Sequence, residues 1–435
     1  MRQKKKFINP FSIPAVRKKI LIITGILLLI RIINQIPTPG VNTAFLKEMF
    51  EASGNTWNFL NMMTGGSLSS MSVLALNITP YITASIILEL LSVVFKSLEE
   101  MKRDGKTGQE KFKKITLMTA VGLSLVEALA MAIGFGRRGM LINFTWYWVL
   151  AVTITWTIGS GALSFVGTKM TDKKLGNGIS LILLCNILSS VIGDLTTTWD
   201  LLTTGVSIPV GALKIMAAVL ILFFMTLFVV YLQAGRKEIP VIYSKKTGTG
   251  SGIAQRSTLP IPVVAASVIP VIFASSLFSI PSMIGLFVDS SNKVWNTILG
   301  FTNTSYWFNP HQFYYTVGWI VFAALIIFFT YFYTSINFNP IEVADNLRKN
   351  GGQIPGVRPG KETERYISKR MAYLSLFGGV GMVIVATVPM IISGLFGIGN
   401  ISLLGTSVVI IVGVFVETTD KLSADMNAYR VNRFI

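Results

Sequence analysis

The chain has 435 residues, of which 51% are hydrophobic and only 13% are charged, and its formal net charge is +18. Soluble domains carry about 25% charged residues, so this composition excludes an ordinary water-soluble protein. The long apolar runs are continuous rather than alternating, which also excludes a membrane-spanning barrel. What remains is an all-α integral membrane protein with several spans of roughly 20 apolar residues each.

Ten apolar runs predict ten transmembrane helices. In chain order these predicted spans are 20–36, 73–95, 115–135, 141–166, 179–192, 210–232, 261–288, 315–336, 373–392 and 402–416. The fifth is short, as expected of a helix that neighbouring helices shelter from lipid. Arg31 falls near the end of the first span, where we expect its long side chain to reach the membrane interface.

The segments between the spans divide the chain into five parts. We expect a cytoplasmic N-terminal segment (1–19), an N-terminal half (20–192), an external hinge loop (193–209), a C-terminal half (210–419) and a cytoplasmic tail (420–435). The C-terminal half carries two cytoplasmic loops, 233–260 and 337–370. The first has a Gly/Ser/Thr-rich tip that predicts mobility or an extended hairpin.

Segment 37–72 is too polar to cross a membrane, yet the stretch 57–63 within it is amphipathic and leads into the second span. It predicts a re-entrant segment inside the protein, the place where non-helical backbone is tolerated at membrane depth. The alternative interpretation is an ordinary surface loop.

Basic residues are concentrated on one side of the predicted spans. That side holds 32 of the 38 lysines and arginines, and only Lys47, Arg137, Arg138 and Lys293 fall in segments on the other side. Cytoplasmic loops of membrane proteins carry such an excess, so both termini are predicted to be cytoplasmic. The same bias accounts for the net charge more simply than nucleic-acid binding does.

Two short motifs recur at corresponding spans of the two halves. The frame Pro-x-Ile-x-Ala-Ser begins at Pro80 in the second span and at Pro270 in the seventh, and Gly178 and Gly405 precede the fifth and tenth. Because five spans is an odd number, the second half is predicted to be inverted relative to the first. Prolines that bend helices at matching places in inverted halves are typical of a central transport path.

The repeats also place branched apolar side chains in register. The candidate residues for a constriction around a central pore are Ile78, Ile82, Ile179, Leu183, Ile272 and Ile410. An apolar ring of this kind excludes ions by staying dry. The alternative, equally open at this point, is plain core packing.

Five ordered motifs resemble the SecY family, the channel-forming subunits of the bacterial Sec protein translocase. They are Leu76–Ile87, Leu175–Ser180, Val268–Ser276, Gly351–Gly360 (GGQIPGVRPG) and Gly405–Ser407. The resemblance covers nearly the whole chain and implies a pore that is closed by a plug and opens sideways at a lateral gate. It implies no enzyme activity, cofactor or metal.

The resemblance also assigns roles by motif position. The pore ring would be the six residues given above, and the plug would lie in 58–72, with Asn61, Met62, Met63, Gly65 and Gly66. The lateral gate would include Thr83, Ile86, Glu127, Ser275 and Ser276. Contacts with a motor or ribosome would come from Arg236, Lys245, Lys246 and Arg358. Val264 stands where the family often has a polar gate residue.

The resemblance implies a set of partners as well. They are small membrane subunits similar to SecE and SecG, the motor ATPase SecA, the ribosome, signal peptides and nascent chains, membrane lipid, and an insertase similar to YidC. The implied location is the bacterial cytoplasmic membrane.

Two other functional classes fit part of the sequence. A secondary transporter also uses inverted repeats and broken helices, with Glu89 and Glu127 as candidate coupling carboxylates. An intramembrane enzyme is disfavoured, because the single histidine, His311, excludes a His-Glu-x-x-His zinc site.

Overall fold

A computed structural model describes residues 13–42, 58–173, 176–203, 208–243, 255–265, 268–285, 287–288, 292–304, 306–309, 311–396 and 404–431. This part of the chain is mostly helical. Its helices are α1 (Pro14–Ile33), α2 (Asn58–Thr64), α3 (Thr79–Val94), α4 (Lys96–Arg103), α5 (Gly105–Phe135), α6 (Trp146–Asp172), α7 (Gly178–Thr203), α8 (Ile208–Ala234), α9 (Ile269–Ile284), α10 (Lys293–Thr302), α11 (Thr316–Asn337), α12 (Pro340–Lys349), α13 (Lys361–Phe396) and α14 (Leu404–Val431). A π-helical turn (Gly136–Met140) follows α5, and a 3-10 turn (Phe313–Tyr315) precedes α11.

Every predicted span overlaps a helix, although several helix ends differ from the expected ends. Five helical segments of the described chain are long and apolar enough to cross a membrane, and α3 with α4 would make a sixth if this pair, bent by 106° at its junction, is counted as one span. The apolar stretches Gly178–Gly193 and Ile269–Ile284 are shorter. The total of ten spans therefore stays a prediction.

Two helices extend beyond their expected ends. Helix α7 continues to Thr203, so most of the expected hinge loop is helical, and Thr196 Oγ1 donates to the carbonyl of Gly193 within the helix. Helix α14 continues through the expected tail to Val431, where Lys421 and Glu417 form an i,i+4 ion pair. Residues 1–12, 204–207 and 432–435 lie outside the described chain.

The chain divides into two compact units, close to the two predicted halves. Unit 1 holds residues 1–198, 279–303 and 417–435, and unit 2 holds 199–278 and 304–416. The core of unit 1 lies where α5 and α6 pack together, and it contains the fully buried Phe135 and Trp156. In unit 2, α11 packs along α13.

Unit 2 also contains a small sheet, the exception to the expected all-helical fold within the described residues. Its strands are β1 (Arg236–Tyr243), β2 (Gln255–Pro262) and β3 (Gly352–Gln353), in the antiparallel order β2-β1-β3. The sequence left mobility and an extended hairpin open for loop 233–260, and the pairing of β1 with β2 shows a hairpin. Since β2 uses residues up to Pro262 for pairing, helix α9 begins later than the expected Ile261.

The repeated glycines have the same structural reason in each unit. A Cβ on Gly178 would lie 2.1 Å from the carbonyl oxygen of Gly167 on α6. A Cβ on Gly405 would lie 2.7 Å from the carbonyl oxygen of Val385 on α13. In both units, therefore, a helix start lies directly against the backbone of the preceding long helix, and only glycine leaves room for that contact.

Candidate functional site

The predicted plug segment folds back on itself after α2. Gly65 and Gly66 both adopt left-handed conformations, with φ of +69° and +83°, and they reverse the chain. The amide of Gly66 donates to the carbonyl of Asn61 at 2.9 Å, and the amide of Ser69 donates to Asn61 Oδ1, also at 2.9 Å. Asn61 therefore ties the helix to the returning limb.

Both limbs of this segment are buried. Met62 and Met63 on α2 are each 2% exposed, and Leu68 and Met71 on the returning limb join the core formed by α5 and α6. The segment is surrounded by protein rather than lying at the surface, as a re-entrant segment requires.

The chain after α1 holds the returning limb in place. The amide of Thr38 donates to the carbonyl of Met71 at 2.9 Å, and the amide of Val73 donates to the carbonyl of Ile36 at 3.0 Å. Trp156 Nε1 in turn donates to Thr38 Oγ1 at 2.9 Å. This limb is therefore fixed to the chain after α1 and, through Thr38, to Trp156 of α6.

The carbonyl end of α2 accepts hydrogen bonds from side chains of α1 and α7. Arg31 Nη1 donates to the carbonyl of Gly65 at 3.0 Å, and its Nη2 donates to Ser189 Oγ. Ser190 Oγ donates to the carbonyl of Met62 at 3.3 Å. The guanidinium of Arg31 therefore has hydrogen-bond partners inside unit 1, and the expectation that it reaches the membrane interface stays a prediction.

Two asparagines complete this set of donors. Asn186 Nδ2 donates to Asn77 Oδ1 at 2.9 Å and to the carbonyl of Met63 at 3.2 Å, and Asn77 Nδ2 donates to the carbonyl of Thr64 at 3.4 Å. Both asparagines are fully buried. Neither asparagine was predicted as a site residue, although an asparagine within the apolar run of α7 is a signal of function in a membrane helix.

The predicted ring residues of unit 1 lie beside this asparagine pair. Ile78 directly follows one asparagine, and Leu183 precedes the other by one helical turn on α7; both are buried. Ile82 lies one turn further along α3 and is also buried, while Ile179 at the start of α7 is half-buried.

In unit 2 Ile272 lies on α9 and Ile410 lies on α14, and both isoleucines are buried. Val268 lies one turn before Ile272, and Gly413 lies about one turn after Ile410. A Cβ on Gly413 would lie 2.1 Å from Cγ1 of Val268.

The predicted gate residues fall in both units. Thr83, Ile86 and Glu127 lie in unit 1, and Ser275 and Ser276 lie in unit 2. Helices α3 and α5, which carry the first three, pack against each other. Thr83 Oγ1 donates to a carbonyl of its own helix. Val264 is buried against α13, which accounts for an apolar residue there.

Two of the four predicted basic contact residues lie in the small sheet region. Arg236 begins β1, Arg358 lies in the turn between β3 and α13, and both are exposed. Thr363 Oγ1 donates to the carbonyl of Arg358 at 2.9 Å, which fixes that turn. Lys245 and Lys246 lie outside the described residues.

Comparisons with known proteins identify the family. The SecY family model matches residues 72–419. The protein translocase subunit SecY of Helicobacter pylori (strain ATCC 700392 / 26695) is 34% identical over 419 residues, which cover 95% of this chain and 96% of the relative. That of Staphylococcus aureus (strain NCTC 8325 / PS 47) is 32% identical over 426 residues, covering 97% and 96%.

Solved structures agree with the fold. A structure described as a protein conducting channel aligns with a TM-score of 0.67 at 20% identity, covering 94% of this chain and 91% of that one. A second, a SecY protein whose plug domain stabilises the closed state of its translocation channel, aligns with a TM-score of 0.65 over the same shares at 20% identity.

The fold and these matches define a class: an integral membrane, protein-conducting channel subunit rather than an enzyme. Within that class the chain belongs to the SecY family. The intramembrane-enzyme and secondary-transporter interpretations are thereby set aside.

Proposed function

We propose that unfolded secretory proteins cross the bacterial cytoplasmic membrane through this chain, and that their transmembrane segments leave it sideways into lipid. The constriction would be formed by Ile78, Ile82, Ile179, Leu183, Ile272 and Ile410. Segment 58–72 would be the plug. The lateral gate would include Thr83, Ile86 and Glu127 of unit 1 and Ser275 and Ser276 of unit 2.

One observation carries this proposal. The buried isoleucine and leucine at positions 78 and 183 lie beside the asparagine pair that holds the carbonyl end of α2. Apolar candidate ring residues and a re-entrant helix thus meet at one place in unit 1. A coupled transporter would instead place ionisable groups at such a centre.

The chemistry of the ring suits its task. Branched apolar side chains make no fixed hydrogen bond to a passing chain, so they accept any sequence, and they keep the narrow point free of ions when it is empty. A signal sequence has an apolar core of roughly 7–15 residues. Each leucine-like residue favours transfer from an open gate into lipid by a few tenths of a kcal/mol, about 0.3–0.6.

The direct test is crosslinking to a stalled secretory chain. Photoreactive residues at Ile82 and Ile272 should both crosslink to a translocation intermediate, because each would face the path. The control is Leu28 on α1, whose side chain is 60% exposed and should crosslink to lipid instead. Crosslinks from Leu28 but from neither isoleucine would refute the assignment of the path.

A polar residue in the ring gives a second test. In Ile82→Asn we expect the constriction to hold water, so the resting ion leak should rise and chains with defective signal sequences should be exported more readily. An unchanged leak together with unchanged export of defective signals would count against an apolar seal.

The partners proposed are those of a bacterial translocase. They are subunits similar to SecE and SecG, the motor SecA, the ribosome, and an insertase similar to YidC. A ribosome–channel complex is described for a Sec61 structure that shares the fold at a TM-score of 0.64 and 20% identity. The excess of basic residues on one side supports a cytoplasmic docking surface with both termini cytoplasmic.

Arg358→Glu tests the docking surface. We expect translocation to fall while the fold is unchanged, since Arg358 is exposed and only its backbone carbonyl bonds within the turn. A contact with ribosomal RNA should also weaken steeply as salt rises. The control is Arg103→Glu, a comparable charge reversal on exposed α4. Normal translocation by the Arg358 variant would refute the contact.

A further inference from the structure

The two buried asparagines connect three parts of unit 1. Asn77 joins the fixed limb to the start of α3, and Asn186 belongs to α7. Between them they hold the last carbonyls of α2, those of Met63 and Thr64. The carbonyls at a helix end have no partner within the helix, so these side chains act as its cap.

The geometry of Asn77 is fixed in advance. Its φ is +50°, a left-handed conformation that asparagine tolerates better than most residues. Its Oδ1 accepts from the amide of Ile78 at 3.0 Å as well as from Asn186 Nδ2. The Oδ1 atom that accepts from Asn186 is therefore also bonded to the backbone amide of Ile78, the first candidate ring residue.

The donors on α7 share a face with the ring. Leu183, Asn186 and Ser190 are spaced i, i+3 and i+7, so they lie along one side of the helix. A displacement of α7 that moves Leu183 also moves both donors away from α2. The Oδ1 atom of Asn186 is buried with no hydrogen-bond partner among the described residues, so only its two donor bonds offset the cost of burying this amide.

We propose that Asn77 and Asn186 form a latch that couples the ring to the plug. This proposal rests on the function proposed above. The latch opens in one step. When a translocating chain spreads Ile78 and Leu183, the bond between the asparagines and the bond to Met63 break together. Helix α2 then loses its bonds from α7, to the carbonyls of Met62 and Met63, and keeps those from Asn77 to Thr64 and from Arg31 to Gly65. This loss favours the release of α2, which is captured again when the ring closes. The two asparagines are positioning residues, since neither needs to touch the substrate.

The first experiment measures ion leak through resting channels in proteoliposomes. Asn186→Leu removes both donor bonds at nearly constant volume. We expect the leak to rise about tenfold, which corresponds to roughly 1.4 kcal/mol. The matched control is Asn34→Leu, because Asn34 is also buried, at 4% exposed, but its amide has no hydrogen-bond partner in the described chain. That variant should leave the leak unchanged.

Deleting residues 58–64 separates the latch from a general loss of stability. The deletion should raise the leak by itself, and adding Asn186→Leu should then change nothing further. A further rise in that background would mean that Asn186 supports the fold and not the plug, which overturns the latch. If the deletion raises the leak but Asn186→Leu alone does not, the plug stands and the latch fails. If the deletion leaves the leak unchanged, the plug assignment fails and the latch with it.

The second experiment replaces the latch with a covalent bridge that can be made and broken in the same variant. Cysteines replace Asn77 and Asn186 in a Cys185→Ala background, which removes the single native cysteine. A short bifunctional methanethiosulfonate should bridge them and stop translocation while the leak stays low, and reductant should restore transport. Full translocation with the bridge in place would overturn the proposal.

Discussion

Alanine at Gly65 should release α2, whereas alanine at its neighbour Gly66 should not. Both glycines have positive φ, so either alanine adds a backbone strain of about 1–2 kcal/mol. The surroundings differ. A Cβ on Gly65 would lie 2.7 Å from Arg31 Nη1 and 2.9 Å from the Cα of Asn186, while a Cβ on Gly66 would meet no atom within 4 Å.

Because both variants carry the same backbone strain, the difference in their ion leak measures the effect of the contact with Arg31 and α7. The Asn186 Cα belongs to a helix backbone and cannot yield cheaply, so the Arg31 guanidinium or α2 must move. Losing the charged hydrogen bond from Arg31 to the carbonyl of Gly65 costs about 1.5–3 kcal/mol. Taking about 2 kcal/mol, we expect the closed position of α2 to be disfavoured roughly thirtyfold more in Gly65→Ala than in Gly66→Ala.

The assay is the resting ion leak in proteoliposomes, with thermal unfolding in detergent as a check that each variant is folded. Gly65→Ala should leak far more than Gly66→Ala, even where the two unfold at similar temperatures. Equal leaks from the two variants would show that backbone strain alone matters and that the contact with Arg31 and α7 does not hold α2.

Two further predictions concern packing. Gly178→Ala and Gly405→Ala should each lower the free energy of unfolding by about 1–3 kcal/mol, because each methyl group would overlap a helix backbone. The control, Gly122→Ala, has open space around it and should be neutral or stabilising by up to about 1 kcal/mol. Unfolding temperatures of the three variants would show the contrast. Trp156→Phe should cost about 2–3 kcal/mol by leaving the Thr38 hydroxyl unpaired, and adding Thr38→Val should recover part of that loss, as a double-mutant cycle would measure.

Much of the fold could be predicted because apolar runs determine membrane helices locally. The eighth predicted span, 315–336, differs from α11 by a single residue at each end. The hairpin followed from the turn residues at its tip. The predicted helix ends were wrong where a polar segment stays helical, as in α7. Hydropathy indicates which part of a helix prefers lipid, but it does not indicate where the backbone hydrogen bonding of the helix ends.

The candidate site was predictable only in its apolar part. Ring and plug positions could be proposed from the repeat and the motifs, and they stay predictions. The polar contacts could not, since Arg31 and Ser189 are 158 residues apart, and Asn77 and Asn186 are 109 apart. Such pairs carry no local pattern. From hydropathy alone, a charged residue near a helix end, such as Arg31, is expected at the membrane interface. Only the tertiary structure reveals the carbonyl that accepts its hydrogen bond.

The repeat also shows why the latch belongs to one half. Counted from the aligned glycines, Asn186 of unit 1 is matched by Gly413 of unit 2, and counted from the aligned prolines, Ile78 is matched by Val268. In unit 2 these matched positions touch directly, glycine against valine. In unit 1 a hydrogen bond joins the asparagine to the residue just before the isoleucine. Apolar surfaces slide with little penalty, whereas a buried hydrogen bond is either made or lost. The contact that breaks all at once, the hydrogen bond, therefore lies in unit 1, which carries the proposed plug segment and where the proposed release of α2 is all-or-none. The apolar contact, which can slide, lies in unit 2, which carries no plug segment.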